Sequence, residues 1–172
     1  MTTTYRIAQG SDAPALRVLI ESGYRGDSAR QGWTSEADFL EGDRTTPEEI
    51  AAMIADPEKR VLLAERDSAL VGTVTITDLG HGRAYLGLLC VDPVLQAAGL
   101  GRALITRAEE LAAHDFAAHT MEMTVIDARA ELIAYYQRRG YAHTGELRPF
   151  LLPMDVPYQM VVLERPLISS LA

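Results

Sequence analysis

The chain has a single cysteine, Cys90, and a single lysine, Lys59, among its 172 residues. One cysteine excludes an intrachain disulfide and a thiolate metal cluster. The four histidines are dispersed, and His114 and His119 miss the i, i+4 spacing of a helical metal pair, so no metal is expected. With 16 basic against 24 acidic residues and a net charge of −8, the chain lacks the clustered lysine and arginine that hold a polyphosphate backbone, which argues against nucleic acid as the main partner. A neutral or cationic substrate suits this balance. No apolar run approaches the roughly 20 residues that span a bilayer. The opening "MTTTYRIAQG" also lacks the basic and apolar regions of a signal peptide, so no membrane partner and a cytoplasmic location are expected. Repeats, linkers and low-complexity tracts are missing too. What remains, 48% hydrophobic and 23% charged, is the balance of one ordinary folded domain spanning residues 1–172.

Within that domain the periodicity alternates between strand and helix. "TTYRIAQ" (3–9) reads as a strand, after which Ser11 or Asp12 caps a helix whose Leu16, Leu19 and Ile20 share one face. Residues 22–46 are polar and glycine-rich, with Trp33, Phe39 and Leu40 as anchors, and are expected as loop with at most a short helix. Thr46 as cap, Pro47 at the first helical position and Glu49 three residues after the cap start a second helix, which Asp56-Pro57 ends. "RVLLAE", "LVGTVTIT" and "AYLGLLCV" then form an antiparallel meander through the tight turn "RDSA". A helix from residue 100, the strand "HTMEMTV" (119–125), a helix over 128–139 stopped by Gly140, and a closing strand over 158–167 complete a mixed α/β order.

The most informative stretch is "CVDPVLQAAGLGRALITRAEELA" (90–112), in which two glycines open a helix directly after a strand. The first four amides of a helix have no internal partner and sit at the positive end of its dipole, so they form an anion site wherever side chains leave them uncovered. Gly99 and Gly101 leave them uncovered, and Gln96 can brace the loop. On the plainer view Gly99 is a loop residue and Gly101 allows the helix to pack closely on the sheet; the position after a strand favours a pyrophosphate cradle. A dinucleotide fingerprint is poorly met, because Leu104 stands where the third glycine belongs, although Glu122 falls at the spacing of its acidic residue. A triphosphate loop is excluded by Arg102 after Gly101.

"QAAGLG" (96–101) resembles the Q/R-x-x-G-x-G/A signature of the GNAT superfamily of N-acetyltransferases, "LLCVDP" (88–93) is similar to its central strand and exit, and "YYQRRGY" (135–141) to its Y-x-x-x-G-F/Y segment. Together with the element order, the resemblance covers nearly the whole chain. It implies a single-domain GNAT-like fold: a central, mostly antiparallel sheet with one parallel, splayed pair and helices on both faces. It further implies acetyl coenzyme A as co-substrate, its pantetheine arm paired with backbone at Leu89, Cys90 and Val91. The pyrophosphate would be held around Gln96, Ala97, Ala98, Gly99, Leu100, Gly101, Arg102 and Ala103. Tyr136 falls on the family's tyrosine, and a tyrosine of ordinary pKa, roughly 10, carries a proton at neutral pH for the departing thiolate; without the glycine motif it would read as a core aromatic, like Tyr135.

The chain departs from the family at two places. Arg129 stands where many members have asparagine, and "AYLGLLCV" offers no carboxylate as base, only Tyr85 and Cys90 as ionisable groups. A base is then sought at Glu36 or Asp38, or the amine arrives unprotonated. Cys90 reads as a small buried hydrophobe rather than an acetylated nucleophile, and His81 and His143 as surface or structural residues. The expected acceptor is a small-molecule or peptide amine. The acidic segment 23–49 (Asp27, Glu36, Asp38, Glu41 and Asp43 around Trp33) reads first as a solvated loop pinned by Trp33 and Phe39, the acceptor site then lying in 148–158, and alternatively as the site that meets a cationic amine; a homodimer is compatible. The alternative is a non-catalytic acyl-CoA-binding or regulatory module.

Overall fold

A computed structural model of the chain describes residues 2–24, 46–95, 99–149 and 159–167. The acidic segment with Trp33, Glu36 and Asp38, the residues Gln96, Ala97 and Ala98, and most of the stretch 148–158 lie outside the described residues. Seven strands form one sheet: β1 (Thr3–Ile7), β2 (Lys59–Arg66), β3 (Ala69–Gly80), β4 (Arg83–Val91), β5 (Thr120–Ile126), β6 (Ala142–Pro149) and β7 (Gln159–Pro166), in the order β1-β2-β3-β4-β5-β7-β6. Every neighbouring pair is antiparallel except β4 and β5.

Local chemistry places the elements largely where the sequence pattern does. Asp67 and Ser68, both with positive φ, make the tight turn between β2 and β3, the mirror-image turn whose twist matches its strands. Helix α2 (Pro47–Ala55) is capped by Thr46, whose Oγ1 accepts from the Glu49 amide at 3.2 Å. Helix α1 (Ala13–Tyr24) starts differently from expectation. Asp12 lies in a short 3-10 turn, its carboxylate accepting from the Gln9 amide and forked to Arg6 at 2.8 Å. Those Arg6 hydrogen bonds draw its pKa down to about 2. A charged partner on β1 thus takes the side chain that the sequence offers as a helix cap.

Alternation along β2 divides the core between the two faces of the sheet. Val61 and Leu63 pack with Leu16, Ile20 and Ile50 of α1 and α2, whereas Leu62 and Ala64 face α3 (Leu100–Asp115), which contributes Leu104, Ile105 and Ala108. Gly72 sets how closely α3 approaches: a Cβ there would come 2.8 Å from Leu104 Cδ1. Close helix-on-sheet packing is therefore a property of Gly72 rather than of Gly101. Gly72→Val is expected to destabilise the fold by about 1 to 2 kcal/mol through overpacking; an unchanged urea midpoint would mean that Leu104 swings aside freely. The fourth helix, α4 (Ala130–Arg138), follows β5 and ends before Gly140, at φ +98. No helix among the described residues is long and apolar enough to cross a membrane.

Candidate active site

The centre of the sheet is a fork. Parallel pairing of β4 with β5 is confined to Arg83↔Thr120, Ala84↔Met121 and Tyr85↔Glu122. Beyond Tyr85 the two strands part. On its other edge, β4 pairs Gly87 with Thr75 and Cys90 with Thr73, so Leu88 and Leu89 of β4 stand against Val74 alone. Leu88 has φ +49, a conformation that a branched side chain resists. A bulge of this kind bends its strand and increases the local twist, and here it lies where β4 leaves β5.

Past the bulge, Leu89 is half-buried against the α3-side core, and Cys90 and Val91 are buried. The Cys90 thiol donates to the Leu19 carbonyl at 3.3 Å, the behaviour of a small core side chain. The Asp92 amide then returns to the Val71 carbonyl at 2.9 Å, and a 3-10 turn over Pro93–Leu95 carries the chain out of the sheet.

Gly99 caps α3 in the left-handed conformation, φ +84, which glycine adopts without strain. Gly99 has no side chain with which to cap this helix, and the helix's first turn holds no acidic residue. Gly101 lies one residue into the helix, where a Cβ would stand 3.4 Å from the Tyr135 hydroxyl and 4.0 Å from Val91 Cγ2. The fork and the helix start thus meet at Gly101, and a side chain there would occupy the space between them. Leu100 is buried and Arg102 is exposed. Ala103 donates its amide to the Gly99 carbonyl at 3.0 Å, which takes its amide out of the exposed set. These residues fit a diphosphate: uncovered amides at a dipole's positive end, without a carboxylate to repel it.

Helix α4 supplies the aromatic side of the site. Arg129 occupies its N-cap position without a side-chain cap hydrogen bond; the side chain is buried, its Nε donating to Glu131 at 3.3 Å. Tyr136 is buried in the same core cluster as Val91 and Leu100. It packs edge-on against Tyr135 and Tyr141, with centroids 5.4 and 6.2 Å away. Tyr135 is more than the core aromatic that its spacing suggests: it is half-buried, its hydroxyl faces Gly101, and burial raises its pKa.

Two groups escape the sequence pattern. The first is a cleft between α3 and the end of α4, lined by Arg102, Arg138, Arg139 and Arg165 with Glu109 as the sole acid. Glu109 accepts from the Tyr141 hydroxyl at 2.8 Å and from Arg165 at 3.0 and 3.1 Å. Burial nonetheless raises the Glu109 pKa, and burial followed by the charge of Glu109 raises that of Tyr141. The adjacent arginines in "QRRG" and the i, i+4, i+7 face of Arg102, Thr106 and Glu109 are visible in sequence, but their convergence depends on how α3 and α4 pack. The second group surrounds Glu122, 4% exposed, which lies 3.1 Å from Arg83 and 2.8 Å from Arg148. Its carboxylate is engaged by two arginines, and the ribose contact of a dinucleotide fold is not the use that this chain makes of it. His81 and His143 are exposed, as expected. Among the described residues no group of three or more His, Cys, Asp or Glu side chains could hold a metal ion.

Residues 27–141 match the family model described as Acetyltransferase (GNAT) family. A comparison with curated protein sequences finds no match. Among solved structures, the ribosomal-protein-S18-alanine N-acetyltransferase from Escherichia coli is similar over 96% of this chain and 94% of its own, at 17% identity and TM-score 0.74. The PaiA N-acetyltransferase from Thermoplasma acidophilum, in complex with coenzyme A, is similar over 96% and 99%, at 16% identity and TM-score 0.74. YncA from Salmonella typhimurium, with its cofactor acetyl-CoA, is similar over 100% and 98%, at 18% identity and TM-score 0.73.

Proposed function

The chain belongs to the GNAT acetyltransferase family, and from that premise we propose that it moves an acetyl group from acetyl coenzyme A to an amine by direct attack, with Tyr136 as general acid. The observation that carries this reading is the glycine start of α3 at Gly99 and Gly101, set against the mouth of the β4–β5 fork. Backbone at Leu89, Cys90 and Val91 would hold the pantetheine arm along the edge that β5 leaves. Amides from the 96–102 segment would hold the pyrophosphate, with the Arg102 side chain as counter-charge; the Ala103 amide is already bonded to the Gly99 carbonyl. When bound, acetyl coenzyme A supplies an activated acyl group and a thiol leaving group.

Tyr136 is the group proposed to give a proton to the departing sulfur. The base is not on β4, which carries no carboxylate, and Glu122 is engaged by Arg83 and Arg148. Removal of the amine's proton therefore falls to an acid of the 23–49 segment, Glu36 or Asp38 first, or to solvent before the amine binds. That segment carries seven acids, five of them (Asp27, Glu36, Asp38, Glu41 and Asp43) within ten residues of Trp33, and gives the net charge of −8 a local use, attracting a cationic amine.

The basic cleft extends the anion site beyond the helix start. Replacing Arg138 and Arg139 together by glutamine is expected to raise the Kd for coenzyme A about three- to tenfold, as loss of exposed charge-assisted contacts does. Calorimetry checks this, and an unchanged Kd would remove the cleft from the cofactor site. The function itself is tested by following thiol release from acetyl coenzyme A over a panel of polyamines, amino acids and peptide N-termini. Thiol release that depends on one class of amine is expected; coenzyme A binding without release over the whole panel would make the chain a binding module.

A further inference from the structure

We propose that the hydroxyls of Tyr85 and Thr124 form a clasp that sets the opening of the β4–β5 fork, which makes both of them positioning residues for the ligand that lies between the strands. The role assigned to the fork rests on the cofactor reading above; the clasp itself rests on geometry. Backbone pairing ends at Tyr85↔Glu122, so the next positions on the same face, Gly87 and Thr124, have no rung between them. At that missing rung the Tyr85 hydroxyl lies 2.6 Å from Thr124 Oγ1. A side-chain hydrogen bond thus joins the strands where their backbone pairing has ended.

The ring reaches Thr124 by lying along its own strand. A Cβ on Gly87 would stand 3.0 Å from Tyr85 Cε1 and 3.5 Å from Cδ1, so the absence of a side chain at Gly87 forms the seat on which the ring rests. On the β5 side, Glu122 is fixed by Arg83 and Arg148, which anchors the residue two before Thr124. Met121, Met123 and Val125 pack into the α3-side core, and alternation turns Glu122 and Thr124 to the opposite face. The clasp is therefore on the far face from the start of α3 and acts through strand separation rather than through contact with phosphate. The Leu88 bulge twists β4 away from β5 while the clasp holds the base of the fork, and together they fix its angle.

The test uses coenzyme A as probe, with the full-length wild type, Tyr85→Phe, Thr124→Val, the double variant and Thr124→Ser. Each single loss of a hydroxyl is expected to raise the Kd about three- to tenfold by calorimetry, the range for one hydrogen bond. The double variant should be no worse than the weaker single one, and Thr124→Ser, which keeps the hydroxyl, should bind as wild type. In acetyl transfer KM for acetyl coenzyme A should rise more than kcat falls, and amide exchange over 86–91 and 123–126 should quicken. Lower melting temperatures with unchanged Kd and unchanged exchange would overturn the clasp, as would additive effects in the double variant. A wild type that does not bind coenzyme A would sink the cofactor reading and leave the clasp to be decided by exchange.

Discussion

Tyr136→Phe is expected to keep the affinity for coenzyme A and to lose about 10² to 10⁴ in turnover, the usual worth of a positioned general acid. Only the phenolic hydroxyl is removed. The ring keeps its edge-on contacts with Tyr135 and Tyr141 and its place in the core with Val91 and Leu100. Calorimetry and steady-state kinetics separate the two roles, because at a residue that only packs, loss of the hydroxyl would leave both affinity and turnover alone. Wild-type turnover in Tyr136→Phe, measured where chemistry limits the rate, would place the acid elsewhere. Tyr135, whose hydroxyl faces Gly101, would be the next to replace.

Gly101→Asp is expected to weaken coenzyme A binding tenfold or more, since each charge-assisted hydrogen bond lost contributes about 1.5 to 3 kcal/mol. Gly101→Ala is the control. Its Cβ would meet the Tyr135 hydroxyl and Val91 Cγ2 at 3.4 and 4.0 Å, ordinary contact distances, so it should fold and bind with little change. The aspartate adds a negative charge at the positive end of α3, which favours the helix while opposing a bound anion. A loss of affinity in a variant of normal or raised stability therefore reports the site and not the fold. Calorimetry showing wild-type affinity in Gly101→Asp would remove the α3 start from the binding site.

The parts of the fold that were legible in the sequence are those decided by a few neighbouring residues. Thr46-Pro47 and Glu49 begin α2 because cap, ring and amide lie within one turn, and Asp67-Ser68 turns β2 into β3 because only the turn's own dihedrals matter. Asp12 shows the limit. Its cap chemistry is local, but Arg6 of β1 takes the carboxylate, and nothing within one turn announces that. The bulge at Leu88 is a mismatch of register between β3 and β4, and its one local sign is the isolated Gly87 just before it. At the site, the two glycines of "GLG" marked the start of α3, and the fork was expected from the family resemblance alone. The four-arginine cleft, the close approach of α3 at Gly72 and the Tyr85–Thr124 pair were not legible, because each joins residues from separate elements.

The four arginines of the α3–α4 cleft belong to a chain whose net charge is −8. A ligand bearing several phosphates is repelled by such a molecule at long range and attracted only when close to the cleft. Screening at physiological ionic strength acts over about 8 Å, which weakens the distant repulsion and reaches a partly enclosed contact much less. Added ions should therefore raise the rate of encounter while also raising the rate of escape from the cleft. For this protein the encounter rate and the residence time of an anionic ligand are set by charges of opposite sign, so either can change without the other.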